Sequence, residues 1–306
     1  MPSLTANGLT IEYESLGNPA DPAIVLIMGL GMQLVGWPDA FCNALVAEGF
    51  RVVRFDNRDS GLSSRVRGRR SPGLLLTLAA ARLGLRIRPP YALDDMAADT
   101  VALMDGLGIA RAHVVGVSMG GMIAQVLAAK FPARVQSLTS IMSSSGNRRL
   151  PPPQPRVMRI FMRRPSRSAD VERVTRHFVE VFTLIGSPGF PADPAELRRR
   201  IGGWVRRAYD PAGTTRQFIA IVASGDRRKL LGQITAPTLV IHGADDPLVP
   251  VEAGRDTARS IPAARLRIID GMGHDLPDGL LPTLVAAIAE HCRASVSAAP
   301  GARASR

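Results

Sequence analysis

The hydrophobic pattern of the chain switches repeatedly between two periods. Short continuous apolar runs, suited to strands buried on both faces, alternate with longer stretches whose apolar positions recur every three to four residues, as on one face of a helix. Ala23–Met28 (AIVLIM) is such a run, and Arg51–Phe55, His113–Val117, Val135–Met142, Pro237–Ile241 and Arg265–Asp270 read as further strands. Helical spacing covers Pro38–Glu48, Leu93–Leu107, Met119–Phe131, Val251–Ser260 and Gly279–Cys292. Gly49 and Pro132 stop two of these helices, and the acids Asp94 and Asp95 suit the positive end of another. Residues 3–16 read as two short strands around Asn7-Gly8, a dipeptide that closes a tight hairpin. Alternation at this pace predicts an α/β fold, a mostly parallel doubly wound sheet with an antiparallel hairpin at one edge.

The alternation breaks once, between Ser143 and Gly232. That stretch begins with PPPQP and has helical spacing near Ala169–Leu184, Pro194–Tyr209 and Gly213–Ser224. It predicts an inserted helical cap, residues 147–232, over the strand ends of a core formed by residues 1–146 and 233–292. Residues 293–306 are mostly Ala, Ser, Gly, Pro and Arg and predict a flexible tail.

Composition narrows the class. With 306 residues, 46% hydrophobic and 21% charged, the chain is globular with room for a large core. No apolar run reaches the roughly 18 residues of a membrane span. The opening MPSLTANGLTIEYESLG lacks a basic start followed by an apolar stretch, so the expected location is cytoplasmic. Cys42 and Cys292 read as buried thiols, and no metal or cofactor motif is present.

A net charge of +12 first suggests a polyanionic partner. The excess is confined to two segments. Residues 64–90 hold seven Arg and no acid, and residues 147–232 hold 17 Arg and one Lys against seven acids. Neither interleaves the basic residues with aromatics for base stacking, so nucleic acid is excluded as the expected partner. The Arg residues of the insertion are expected to form a solvated face. Gly73–Leu85 (GLLLTLAAARLGL), flanked by RVRGRR and RIRPP, reads first as a short helix packed against the insertion. Contact with a membrane surface is the weaker reading. Nothing in the sequence sets an oligomeric state.

The chemistry concentrates in His113-Val-Val-Gly-Val-Ser118-Met-Gly-Gly121. Gly116-x-Ser118-x-Gly120 falls where a strand stops and a helix starts. So sharp a turn strains the serine and crowds its neighbours, which calls for glycine on both sides. The hydroxyl then projects at the carboxyl edge of the sheet, at the amino end of a helix whose dipole favours negative charge. A serine needs a base that is itself oriented by an acid. His274, in Gly-Met-Gly-His-Asp-Leu-Pro directly after the last strand, shares that edge. His113 begins the strand leading to Ser118 and so lies at the opposite edge, and His242 before Gly243 reads as structural. The acid comes from His242-Gly-Ala-Asp245-Asp246-Pro247. Asp246, fixed by the following proline, is the choice, with Asp245 as the alternative. An oxyanion hole needs two backbone N–H groups. Met119 supplies one, and Leu30, between Gly29 and Gly31 in the loop after the first long strand, supplies the other.

With these pieces in order, the chain resembles the α/β-hydrolase superfamily over roughly residues 3–292. IMGLGMQLVGWP, RFDNRDSGLSS, LDDMAADTVALMDGLGI and VVGVSMGGMIAQ resemble, more narrowly, the branch containing aclacinomycin methylesterase and related lipases and esterases. The resemblance implies an α/β-hydrolase fold and a serine hydrolase that cleaves a small-molecule carboxylic ester through an acyl-enzyme. It also implies Ser118 as nucleophile, His274 as base and then acid, Asp246 as its orienting carboxylate, and Leu30 with Met119 as the oxyanion hole. No cofactor is implied. Met28 departs from the histidine that many members carry before the glycine, which leaves the backbone donors intact. Asp56-Asn-Arg58-Asp59-Ser-Gly61 matches a superfamily turn and reads as structural. The same triad also serves lactonases, carbon–carbon bond hydrolases and cofactor-free perhydrolases. A non-catalytic ligand receptor of the same fold is the alternative from another class, and the complete triad weighs against it.

Overall fold

The computed structural model describes residues 2–66, 87–163 and 170–297, with isolated positions between 73 and 85. Of the Gly73–Leu85 segment, residues 74, 75, 78, 81, 82 and 84 lie outside the described residues, and among the others Leu76, Leu83 and Leu85 are exposed. Among the described residues, eight strands form one sheet: β1 (Ser3–Ala6), β2 (Leu9–Leu16), β3 (Ala23–Ile27), β4 (Arg51–Phe55), β5 (Ala112–Val117), β6 (Val135–Ile141), β7 (Thr238–Gly243) and β8 (Arg265–Ile269). Their order is β1-β2-β4-β3-β5-β6-β7-β8. β1 pairs with β2, and β2 with β4, in antiparallel fashion, while every later pair is parallel. Asn7 and Gly8 close the first hairpin with φ of 50° and 75°, the left-handed pair that such a turn demands.

The central strands are apolar throughout because both of their faces are covered. In β3, Val25 and Ile27 face one layer, where α2 (Leu93–Gly106) and α3 (Met119–Lys130) contribute Met96, Leu103, Ile123 and Leu127. Ile24 and Leu26 face the other, where α1 (Asp39–Ala47) and the terminal helix contribute Phe41, Leu45, Leu284 and Ile288. This alternation with period two sandwiches the sheet between two helical layers, each burying a separate apolar cluster.

Between β6 and β7 the chain forms α4 (Pro155–Met162), α5 (Val171–Ile185), α6 (Pro194–Arg207), α7 (Pro211–Ser224) and the short α8 (Arg228–Leu231). The N-caps Asp170, Asp193 and Asp210 each accept a backbone N–H of the turn they open. Helix α4 was hidden in the sequence by the proline run. Pro155 is its first residue, a position that needs no N–H, so the last of the prolines begins a helix. After β7 come α9 (Val251–Ser260) and, past β8, α10 (Leu281–Ser297). The tail expected from residue 293 is therefore corrected over its first five residues. They continue α10, because Cys292 and Ser295 remain buried and Ser295 Oγ donates to the His291 carbonyl. Among the described residues, no helix is long and apolar enough to cross a membrane.

Candidate active site

β5 ends at Val117 and α3 begins at Met119, leaving Ser118 alone at the turn with φ 55° and ψ −120°. A non-glycine residue held there costs of order 1–3 kcal/mol, sustained only because the surroundings over-determine it. Ser118 N–H donates to the Ile141 carbonyl on β6 at 2.9 Å, and Ser143 Oγ donates to the Ser118 carbonyl at 2.7 Å. The flanking glycines are required by contact. A Cβ on Gly116 would stand 2.2 Å from the Gly120 carbonyl oxygen, and one on Gly120 would stand 2.0 Å from that of Ile27.

The loops after β7 and β8 bring the other side chains to the same edge. His274 Nδ1 lies 2.6 Å from Asp246 Oδ2, and its Nε2 lies 3.0 Å from Ser118 Oγ. Donation from Nδ1–H to the carboxylate leaves Nε2 free to accept the serine proton. Both His274 and Asp246 are buried. The second carboxylate oxygen of Asp246 accepts N–H from Leu248 at 2.9 Å and from Val249 at 2.8 Å. Asp245 points elsewhere, its Oδ2 accepting the Gly271 N–H at 2.8 Å at the base of the histidine loop. The two neighbouring acids thus divide the work: one meets the imidazole and the other braces the loop that carries it.

The remaining histidines stand apart from Ser118. His242 Nε2–H donates to the Val249 carbonyl at 2.8 Å, and burial pushes its pKa down. His113 sits against Ser137 Oγ at 2.8 Å, pushed down to about 4 by burial. His291 is packed under Arg265 and the carbonyls of Leu138 and Pro237, and His177 stands on α5.

The loop after β3 runs beside Ser118. A Cβ on Gly29 would lie 3.3 Å from that of Ser118. Leu30 lies in this loop, and Met119 is the first residue of α3, where a helix leaves its N–H groups without an intrahelical acceptor. Ser118 and His274 open onto a cavity of about 410 Å³. An adjoining cavity of about 260 Å³ shares the aromatic wall of Phe161, Phe178, Phe182, Trp204 and Phe218. All five come from the inserted helices. Among the described residues, no group of three or more His, Cys, Asp or Glu side chains is arranged to hold a metal ion.

Sequence reading missed how much of this rim the insertion supplies. His274 N–H donates to the Ile185 carbonyl at 2.7 Å, and Gly273 N–H to Ser187 Oγ at 2.9 Å, so the end of α5 seats the histidine loop. The expectation of a solvated arginine face holds for Arg176, Arg199 and Arg228 but not throughout. Arg207 pairs with the buried Asp56 at 2.8 Å and Arg216 with the buried Asp59 at 2.6 Å. Arg227 donates to the Ser144 carbonyl at 2.6 Å, and burial pushes its guanidinium down to about 10. The acids of the Asp56–Gly61 turn were visible in the sequence, but their partners lie on helices that no local pattern connects to them.

A family model described as alpha/beta hydrolase fold matches residues 22–278. Rhodomycin D methylesterase DnrP of Streptomyces peucetius is 33% identical, over 95% of this chain and 98% of its own. 3-Oxoadipate enol-lactonase 2 of Acinetobacter baylyi is 26% identical over 88% of each chain. Among solved structures, a meta-cleavage product hydrolase from Pseudomonas fluorescens superposes with a TM-score of 0.71 at 18% identity, covering 96% of this chain and 98% of that one. At that identity it speaks for the fold alone.

Proposed function

The chain belongs to the α/β-hydrolase fold family and is a serine hydrolase of carboxylic esters, and we propose that Ser118, His274 and Asp246 are its catalytic triad. Ser118 Oγ attacks the ester carbonyl while His274 Nε2 takes its proton. Asp246 holds the ring in the tautomer that can do so and stabilises the imidazolium. The N–H groups of Leu30 and Met119 receive the oxyanion. The intermediate collapses as His274 returns the proton to the departing alcohol. Water, deprotonated by the same imidazole, then cleaves the acyl-enzyme.

We take residues 147–232 as a cap over a core of residues 1–146 and 233–292, and the cap as the source of specificity. Its aromatic wall suits a large, flat, uncharged acyl portion, with the ester carbon at the Ser118 end. The methylesterase relatives support a small alcohol leaving group, methanol first. The observation that carries the reading is the chain of hydrogen bonds from Ser118 Oγ through His274 to Asp246 at the floor of the larger cavity. Ser118→Ala is expected to abolish turnover of p-nitrophenyl esters and of aromatic methyl esters while its circular-dichroism spectrum stays native. Activity near that of the wild type would overturn the assignment. A fluorophosphonate probe should label the enzyme at Ser118, whereas a non-catalytic receptor of the same fold should stay unlabelled.

A further inference from the structure

Leu30 sits in a loop with few bonds of its own. Upstream, Asn57 Nδ2 donates to the Met28 carbonyl at 2.9 Å, and Met32 N–H donates to the Gly29 carbonyl at 3.2 Å. On the other side of Leu30 the restraint comes from the insertion. Gly31 N–H donates at 2.8 Å to Oε1 of Gln217 on α7, a side chain wholly removed from solvent. Gln217 Nε2 donates in turn to the Arg58 carbonyl at 2.7 Å and to Ser60 Oγ at 2.9 Å.

These contacts leave the amide one orientation. Reversed, its NH2 would face the Gly31 N–H, and its carbonyl would face that of Arg58. One turn earlier on the same helix face, Thr214 crowds the same loop residue. Gly31 has φ +68°, and a Cβ there would stand 2.8 Å from Thr214 Oγ1. Gly31 N–H belongs to the peptide unit that follows Leu30. Holding that unit restrains the turn from Gly29 to Met32, whose Gly29 carbonyl shares the peptide plane of the Leu30 N–H and accepts from Met32 N–H, and so helps to set the direction in which the Leu30 N–H points.

We propose that Gln217 is a positioning residue for the oxyanion hole. Through Gly31 it aims the Leu30 N–H at the space beside Ser118 Oγ, so the inserted helices complete the catalytic site as well as covering it. The proposal rests on the reading of Leu30 as an oxyanion donor.

The test compares the wild-type full chain with Gln217→Met, Gln217→Glu and Ser60→Ala on p-nitrophenyl butyrate. Active sites are counted by fluorophosphonate titration, and binding of a trifluoromethyl ketone, which forms a hemiketal oxyanion on the serine, is measured in parallel. For Gln217→Met, kcat per titrated site should fall by about 10- to 100-fold with KM within about threefold, and ketone affinity should weaken in step with kcat/KM. Gln217→Glu, which keeps an acceptor toward Gly31, should recover at least about threefold of the lost kcat. A residue that merely supports the fold would lower the number of titrated sites and leave kcat per site alone. Unchanged kcat per site in folded Gln217→Met, or a fall in kcat without loss of ketone affinity, would overturn the proposal. Should Gln217→Met fail to fold, Ser60→Ala, which removes one group orienting the amide, decides: about a three- to tenfold loss in kcat supports the proposal and none overturns it. Failure of the underlying triad reading has a different signature, namely turnover that survives Ser118→Ala.

Discussion

Arg207, near the end of α6, reaches across 151 positions of sequence to place its guanidinium 2.8 Å from Oδ2 of Asp56. The carboxylate is wholly buried and also accepts N–H from Leu34 at 2.6 Å and from Leu62 at 2.8 Å. One acid therefore ties an inserted helix to the loops that follow β3 and β4. A buried ion pair of this kind is informative mainly when broken, because the surviving charge is left without its partner.

Arg207→Met should accordingly lower the unfolding free energy by about 3 kcal/mol in urea titrations. Adding Asp56→Asn to it should restore part of that loss, since the second change removes the orphaned charge. A single variant within about 0.5 kcal/mol of wild type would show that the pair contributes nothing net.

Two glycines should respond in opposite directions to alanine. At Gly120 the added carbon would meet the Ile27 carbonyl oxygen at 2.0 Å, backbone that cannot yield. Gly120→Ala should lose more than about 3 kcal/mol or fail to accumulate in folded form. Gly203, exposed inside α6, has nothing within 4 Å of the same position. Gly203→Ala should gain about 0.5–1 kcal/mol, read as a rise in melting temperature.

The neighbouring acids after β7 should separate by kinetics. Asp246→Asn removes the group that fixes the His274 tautomer, and kcat should drop by about 10⁴. Asp245→Asn loosens only the loop held at Gly271, where a loss of about tenfold or less is expected. Comparable losses in the two variants would contradict the division of roles.

Acid should expose the burial of His113. Its folded pKa, about 4, lies below the ordinary value of 6.5. Between those values the unfolded chain binds a proton that the folded one refuses, so this residue makes stability fall as pH drops from 6.5 toward 4. His113→Asn removes that dependence. The stability of the variant relative to wild type, from chemical unfolding at several pH values, should rise steadily as pH is lowered through that window. A difference independent of pH would mean that the ring is not held neutral in the folded protein.

The fold was legible because its signals are local. A strand buried on both faces must be apolar along its length, and an amphipathic helix must repeat its apolar residues near every fourth position, so β3 to β7 and most helices could be placed to within a residue or two. The hairpin at Asn7-Gly8 and the strained turn at Ser118 were legible for the same reason, since each is dictated by the few residues that form it. Helix α4 escaped because its first residue closes a proline run that reads equally well as coil. The end of α10 escaped because Ser295 owes its helical place to burial, not to propensity.

By itself the sequence determined the order of strands and helices along the chain, the strained turn at Ser118, and which histidine and which pair of acids could share an edge with it. The sequence favoured Asp246 over Asp245 because of Pro247, and tertiary structure turns Asp246 to the imidazole. Tertiary structure alone decided that Ile185 and Ser187 seat the histidine loop, and that Gln217 bonds to Gly31 from 186 positions away. Periodicity reports what a residue's near neighbours require. A polar contact between distant segments leaves no periodic trace, because its two halves are brought together only by the packing of everything between them.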